Sequence, residues 1–271
     1  MASSNAFDLS GRTAVVTGGY GVLGGSIALG LANAGVRVAL LGRRADALAA
    51  KRDELRAAGA EVMTLAADAM DEAQLAQARD RVIDAWGSID ILINAAGGNV
   101  QRARNDSSSI FDVPLDAFDE VLRLNLHGSV IPTVAFGRVM AERGAGSIIN
   151  ISSMAALQAL SGVMGYSVAK AGIDNFTRWM AVEMARKHRG VRVNAVAPGF
   201  FVTTQNRAVL VQADGSLTAR AQRILERTPM GRFGTPEELI GTILWLCSDA
   251  ASFVTGVVIP VDGGFSAFSG V

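Results

Sequence analysis

Seven short runs rich in Val, Ile and Leu alternate with longer Ala-rich stretches along all 271 residues, and this alternation constrains the fold more than any other feature. The runs are Thr13–Thr17, Val36–Leu41, Glu61–Leu65, Ile89–Asn94, Ser147–Ile151, Val191–Val196 and Val257–Val261. They are short and mostly apolar, as expected of strands covered on both faces of a parallel sheet. Between them lie helical patterns at Gly24–Ala34, Ala45–Ala58, Asp71–Trp86, Leu115–Arg143, Tyr166–Arg189 and Thr235–Ser248. Asp71 and Thr235 read as N-caps, the latter followed by Pro236 at the first helical position and by Glu237 and Glu238. The pattern predicts one α/β domain over residues 1–271, a doubly wound seven-stranded parallel sheet with helices on both faces.

Composition removes several function classes. Half the residues are hydrophobic and 25 basic residues balance 25 acidic ones, which excludes a disordered chain and gives no basic excess for nucleic acid. One cysteine (Cys247) and two histidines (His127, His188) exclude an intrachain disulfide and argue against a metal site. No apolar run approaches the ~18 residues of a membrane span. The first nine residues carry Asp8 and no apolar run, unlike a secretory signal. The expectation is a soluble, cytoplasmic protein with a small-molecule substrate and neither nucleic-acid nor membrane partner.

Two loops are long for this architecture, 97–113 and 198–234, and both follow strand ends. Open α/β sheets bind ligands there. Asp214-Gly215 in the second loop is a hairpin turn signal, and the loop's length and polar tip suit a lid.

After the first run comes Thr17-Gly18-Gly19-Tyr20-Gly21-Val22-Leu23-Gly24, in which Gly19, Gly21 and Gly24 fit G-x-G-x-x-G. Between a strand and a helix, such glycines admit a pyrophosphate to the helix N-terminus, the Rossmann dinucleotide arrangement. An acidic residue that would bind the ribose hydroxyls is expected at the end of the second strand. That position is Gly42, followed by Arg43 and Arg44. Cations in place of a carboxylate suit a 2′-phosphate, so NADP(H) is favoured, with NAD(H) the alternative.

Tyr166 and Lys170 stand four residues apart, on one face of a helix. An ammonium beside a phenol favours phenolate and lowers its pKa toward the working range. Thirteen residues before Tyr166, a strand ends in Ile149-Asn150-Ile151-Ser152-Ser153. A hydroxyl at that tip can donate to a carbonyl that gains charge during hydride transfer.

Together these residues resemble the short-chain dehydrogenase/reductase family, over about Leu9 to Gly264. The landmarks occur in order: Thr17-Gly18 with Gly24, Asp68, Asn94-Ala95-Ala96-Gly97, Asn125-Leu126, Ser153, Tyr166 with Lys170, Pro198-Gly199 with Thr203, and Val261-Asp262-Gly263-Gly264. One position departs: the family has Gly where this chain has Val22, which predicts a modestly altered turn. The resemblance implies that Tyr166 is the general acid or base and that Lys170 lowers its pKa and holds the nicotinamide ribose. It implies that Ser153 polarises the substrate oxygen and that Asn125 holds a water in a proton relay. It places Gly18, Gly19, Tyr20, Gly21, Val22, Leu23, Gly24, Arg43, Arg44, Asp68, Ala69, Asn94, Ala95, Gly97, Pro198, Gly199 and Thr203 against the cofactor.

Arg102, Phe200, Gln205 and Asn206, with Ser153, are the substrate-binding candidates in or beside the long loops. The stretches Ala197–Phe201, Gln205–Arg207, Thr228–Gly234 and Asp262–Val271 resemble a sugar-acid subgroup described as D-mannonate (fructuronate) oxidoreductases or gluconate dehydrogenases. The competing expectation is a 3-oxoacyl-thioester (acyl carrier protein) or general ketone reductase. Apolar residues on more than one helix face (Val130, Val134, Phe176, Trp179, Met180, Met184) and the resemblance imply a homotetramer or homodimer.

Overall fold

The strand tips that carry the candidate residues all end at one edge of a seven-stranded parallel sheet of order β3-β2-β1-β4-β5-β6-β7. The structure is a computed structural model and describes residues 5–105, 109–203 and 206–270. The strands are β1 (Thr13–Thr17), β2 (Arg37–Gly42), β3 (Val62–Ala66), β4 (Ile91–Asn94), β5 (Gly146–Ile151), β6 (Val191–Pro198) and β7 (Val258–Val261). The helices are α1 (Val22–Asn33), α2 (Ala45–Ala57), α3 (Glu72–Trp86), α4 (Leu115–Leu122), α5 (Gly128–Arg143), α6 (Met164–Lys187), α7 (Arg207–Leu210), α8 (Ala219–Glu226) and α9 (Ile240–Cys247).

The continuous apolar runs follow from the two-faced burial. Successive side chains of a strand point to opposite faces. Ala14, Val16, Leu40, Ile91, Ile93 and Ile149 join α1 and α9 in one core layer. Val15, Leu41, Leu92 and Ile148 join α3, α5 and α6 in the other. Strand order reverses between β1 and β4, so a crevice opens where the two following loops part.

Asp71 caps α3, accepting from the Gln74 N–H at 3.0 Å, as its sequence position predicts. Three expectations change. The single helix expected over 115–143 is broken: Arg123–His127 form a widened π turn between α4 and α5. Thr235 does cap a helix, but Pro236–Leu239 are a tight 3-10 turn leading into α9. Segment 198–234 contains α7 and α8, which bury Leu210, Ala221 and Ile224 in a small core of their own. Asp214-Gly215 does turn the chain, though only one bridge, Val211 to Leu217, pairs its arms.

Candidate active site

At the crevice floor, the Thr17 hydroxyl accepts from the N–H groups of Ala95 and Ala96, each at 3.1 Å, and so joins the loops after β1 and β4. Gly18 has φ +64°, and a Cβ there would lie 2.8 Å from the Ala95 carbonyl oxygen. A Cβ on Gly24 would run into the Gly18 carbonyl. The chain is therefore folded back on itself as tightly as glycine allows. Gly21 is the extended N-cap of α1 and contributes no side-chain cap. The first N–H groups of the helix and its positive dipole end are thus left for an anion. Val22 opens the helix, and its side chain lines the crevice with Tyr20 and Leu23.

A second constraint acts at the end of β2. A Cβ on Gly42 would strike the Tyr20 ring, 2.9 Å from Cδ1 and nearer still to Cε1. The Arg44 guanidinium lies 5.6 Å over the same ring and pairs with Asp46 at 3.5 Å. Arg43 lines the crevice beside Gly42. Tyr20 thus fills the space that a side chain at position 42 would need.

The candidate reactive groups meet where β5 and α6 approach. Tyr166 stands in the first turn of α6, partly open to the crevice, with the Ser153 hydroxyl beside it. Lys170, one turn on, is 4% exposed. Its Nζ donates to the Ile151 carbonyl at 2.7 Å and lies 5.5 Å over the Tyr166 ring. Burial pulls the Lys170 ammonium down to about 8, opposed by the Asp174 carboxylate. The phenol differs from expectation. Burial holds Tyr166 above its ordinary value, with the Ser153 hydroxyl acting in the other direction. The ammonium sits over the ring face and is committed to the Ile151 carbonyl, so the phenol keeps its proton at neutral pH.

Asn125 lies in the π turn and is fully buried. Its Nδ2 donates to the carbonyls of Gly98 at 2.7 Å and Val121 at 2.9 Å, and its Oδ1 accepts from the Gly98 N–H at 3.0 Å. The widened turn lets this amide clamp the loop after β4 against Lys170: a Cβ on Gly97 would lie 2.7 Å from Asn125 Oδ1 and 3.7 Å from Lys170 Nζ.

One crevice of about 590 Å³ unites most of the candidates. Its walls include Gly18, Gly21, Gly24, Arg43, Asp68, Ala69, Ala95, Gly97, Ser153, Tyr166, Lys170, Pro198, Gly199, Phe200, Thr203 and Asn206. Asp68 turns the loop after β3 by accepting from the Met70 N–H at 2.9 Å. Asn206 shapes its own loop, accepting from the Thr203 N–H at 2.7 Å and donating to the Phe201 carbonyl at 2.8 Å.

Five candidates stand elsewhere. Gly19 lies behind the wall, because a Cβ there would meet Leu40 at 2.9 Å, and Arg44 is exposed outside it, over the Tyr20 ring. Asn125 stands behind the wall as well, in the clamp just described. Asn94 is buried and donates to Thr133 and Asn150, each at 2.8 Å, so it ties β4 to β5 and α5. Arg102 is exposed and paired with Asp116 at 2.5 Å. Its place on the wall is taken by Arg104, two residues on, and by Arg220 of α8. Gln205 lies outside the described residues.

Sequence reasoning missed Arg220, because 198–234 read as loop. The signal was present: Thr218 accepts from the Ala221 N–H as an N-cap ahead of an amphipathic turn with buried Ala221 and Ile224. Arg220 also bridges the crevice mouth, donating to the Ser161 hydroxyl and carbonyl at 3.1 Å each.

Residues 21–266 match the family profile described as enoyl-(acyl carrier protein) reductase, a branch of the short-chain dehydrogenases/reductases. The chain belongs to the short-chain dehydrogenase/reductase family. It is an NAD(P)-dependent oxidoreductase of that family. It is 44% identical to the uncharacterized oxidoreductase UxuB of Bacillus subtilis, over 97% of this chain and 98% of that one. It is 36% identical to a 3-oxoacyl-[acyl-carrier-protein] reductase of Synechocystis, over 96% and 99%. Among solved structures, one from Haemophilus influenza, proposed to be a D-mannonate oxidoreductase and holding NAD, superposes with a TM-score of 0.92 at 39% identity over 98% and 99% of the chains. A gluconate 5-dehydrogenase of Burkholderia cenocepacia, in complex with NADP and tartrate, gives 0.87 at 33% identity over 97% and 98%. Among the described residues no helix is long and apolar enough to cross a membrane, and no three His, Cys, Asp or Glu side chains converge to hold a metal ion.

Proposed function

We propose that this chain interconverts a secondary alcohol and a ketone on a polar sugar acid of the mannonate/fructuronate or gluconate type, with NADP(H) preferred over NAD(H). The observation that carries the reading is the convergence of Ser153, Tyr166 and Lys170 on the crevice that begins at the glycine turn. The turn fits a dinucleotide: an uncapped helix N-terminus for the pyrophosphate, Asp68 and Ala69 beside the adenine, and Thr203 and Lys170 toward the nicotinamide end. Arg43 supplies positive charge on the wall and Gly42 leaves no carboxylate at the end of β2, with Arg44 just outside, which supports a 2′-phosphate.

When bound, the cofactor supplies or accepts the hydride. The chain manages the proton and the charge. Tyr166, protonated at neutral pH, gives its proton to the substrate oxygen in reduction and takes it back in oxidation. Ser153 donates to the same oxygen as charge develops. Lys170 steadies the phenolate left behind, and Asn125 and Ile151 fix the surroundings of its ammonium. Ketone reduction should therefore fall as pH rises through about 8, where the Lys170 ammonium is lost.

The substrate wall supports a polar acid. Arg104, Arg220, Asn99 and Asn206 are on it, and a guanidinium is the natural partner of a carboxylate. A 3-oxoacyl-thioester reductase is the second reading, favoured by Leu160, Val163 and Val209 on the same wall. Initial rates at 340 nm with NADP(H) and NAD(H) decide between them, using fructuronate, mannonate, gluconate and its keto forms, an acetoacetyl thioester and simple ketones. Saturable turnover of a sugar acid with NADP(H) preferred is the expected result; turnover of the thioester alone would reverse the assignment.

We also propose that loops 97–113 and 198–234 select the substrate and that the chain assembles as a homodimer or homotetramer through α5 and α6. Val134, Trp179 and Val182, 55%, 62% and 58% exposed, support such an interface. Light scattering that gives a monomer mass in dilute solution would remove it.

A further inference from the structure

Three consecutive residues at the tip of β5 are tied to three turns of α6. The Ile151 carbonyl accepts from Lys170 Nζ at 2.7 Å, the Ser152 hydroxyl donates to Asp174 Oδ1, and the Ser153 hydroxyl lies beside the Tyr166 phenol. Tyr166, Lys170 and Asp174 are spaced by four, so one helix face carries all three. The chemistry described above uses the first two and leaves the third unassigned. Asp174 is 3% exposed, and a carboxyl group so deep is costly to bury unless its partners use it.

We propose that Asp174 is a positioning residue of the active site: its carboxylate keeps the Lys170 ammonium charged and, through Ser152, sets the strand tip so that Ser153 faces Tyr166. The inference rests on the proposed roles of Tyr166, Lys170 and Ser153. Two arguments carry it. First, Ser152 is held twice, by its own N–H to the Val196 carbonyl of β6 at 2.8 Å and by its hydroxyl to Asp174. Its neighbour Ser153 therefore inherits a fixed direction. Second, Lys170 is buried among neutral groups, and Asp174 is the anion that acts on it.

Apart from Arg178, the surroundings of the pair are uncharged at neutral pH. Strand β5 offers the Ile151 carbonyl and the Ser152 and Ser153 hydroxyls, the loop after β4 offers Gly97, and the π turn offers the Asn125 amide. On α6 itself the titratable neighbours are Tyr166 and, beyond Asp174, the exposed Arg178. Burial raises the Asp174 carboxyl above its ordinary range, opposed first by the Ser152 hydroxyl and then by Arg178 and Lys170. Without the Ser152 bond the carboxyl protonates more readily and the strand tip loses its tie to α6.

The test is the pH profile of kcat/KM for NADPH-dependent reduction of the ketone turned over in the panel above. Asp174→Asn, which keeps the shape and removes the charge, should move the alkaline limb to lower pH by about one unit. Ser152→Ala, which keeps the carboxylate and frees the strand tip, should lower kcat several-fold with KM for NADPH unchanged, and Asp174→Glu should leave the limb in place. A limb unmoved in Asp174→Asn, whatever the loss of kcat, would overturn the proposal and leave Asp174 a packing residue. If Asp174→Asn does not accumulate as folded protein, Ser152→Ala decides: a kcat within twofold of wild type would overturn the proposal. Tyr166→Phe is run in parallel. If it retains turnover, the reading of the site falls and this inference falls with it. If it is inactive while the limbs stay put, only the role of Asp174 fails.

Discussion

The two walls of the crevice are built on different principles. On the cofactor wall, backbone meets backbone: Gly18 against Ala95 and Gly24 against Gly18. Shape there is set by atoms that cannot move without opening the sheet. On the substrate wall, side chains from separate loops hold one another: Asn206 on Thr203 and Phe201, Arg220 on Ser161, and the Phe200 and Phe265 rings edge to face at 5.1 Å. Family-wide binding of one dinucleotide needs the first kind of wall, whereas the second can be rebuilt loop by loop for a new substrate.

The sharpest way to break this comparison is Gly24→Ala. A methyl group there collides with the Gly18 carbonyl, so the turn must open. NADPH affinity, read by fluorescence titration, should fall at least ~10-fold, about 1.4 kcal/mol. An affinity within twofold of wild type would show that the wall is not fixed by backbone crowding. Next is the Tyr20 and Gly42 pair. Gly42→Asp alone should weaken NADPH about tenfold without gaining NADH, because Tyr20 fills the space. Gly42→Asp combined with Tyr20→Gly should gain NADH by a similar factor. Equal NADH binding by the single and double variants would dissolve the steric link.

The substrate wall should respond more gently. Arg220→Gln should raise KM for a sugar acid several-fold, up to the ~10-fold of a lost charge-assisted pair, with cofactor affinity unchanged. Arg102→Gln, removing a residue already paired with Asp116, should change KM less than about twofold. The smallest effect concerns closure. Residues 207–226 carry their own small core, so NADPH should slow their amide exchange as a unit, measured by mass spectrometry. Unchanged exchange would argue against a lid.

The same contrast explains what could be read from the sequence. The sheet was legible because strands buried on both faces leave continuous Val, Ile and Leu runs, and all seven appear within a few residues of their expected bounds. The glycine turn was legible because only glycine fits its contacts. Tyr166 and Lys170 were legible from their helical spacing. The substrate wall was not. Whether Arg102, Arg104 or Arg220 faces the crevice depends on loop partners far away in sequence, such as Asp116 and Ser161. The π turn at Asn125 left no mark in the hydrophobic period, since the pattern on either side of it remains helical. The charge state of Tyr166 also followed from burial and from the direction of Lys170, neither of which spacing reveals.

The central claim is that one crevice holds the cofactor with one set of atoms and does its chemistry with another. Tyr166→Phe, assayed at 340 nm beside a fluorescence titration with NADPH, tests it most directly. The account predicts turnover reduced by about 10²–10⁴ with NADPH affinity within about twofold of wild type. Near-normal turnover, or a loss of affinity in step with turnover, would contradict it.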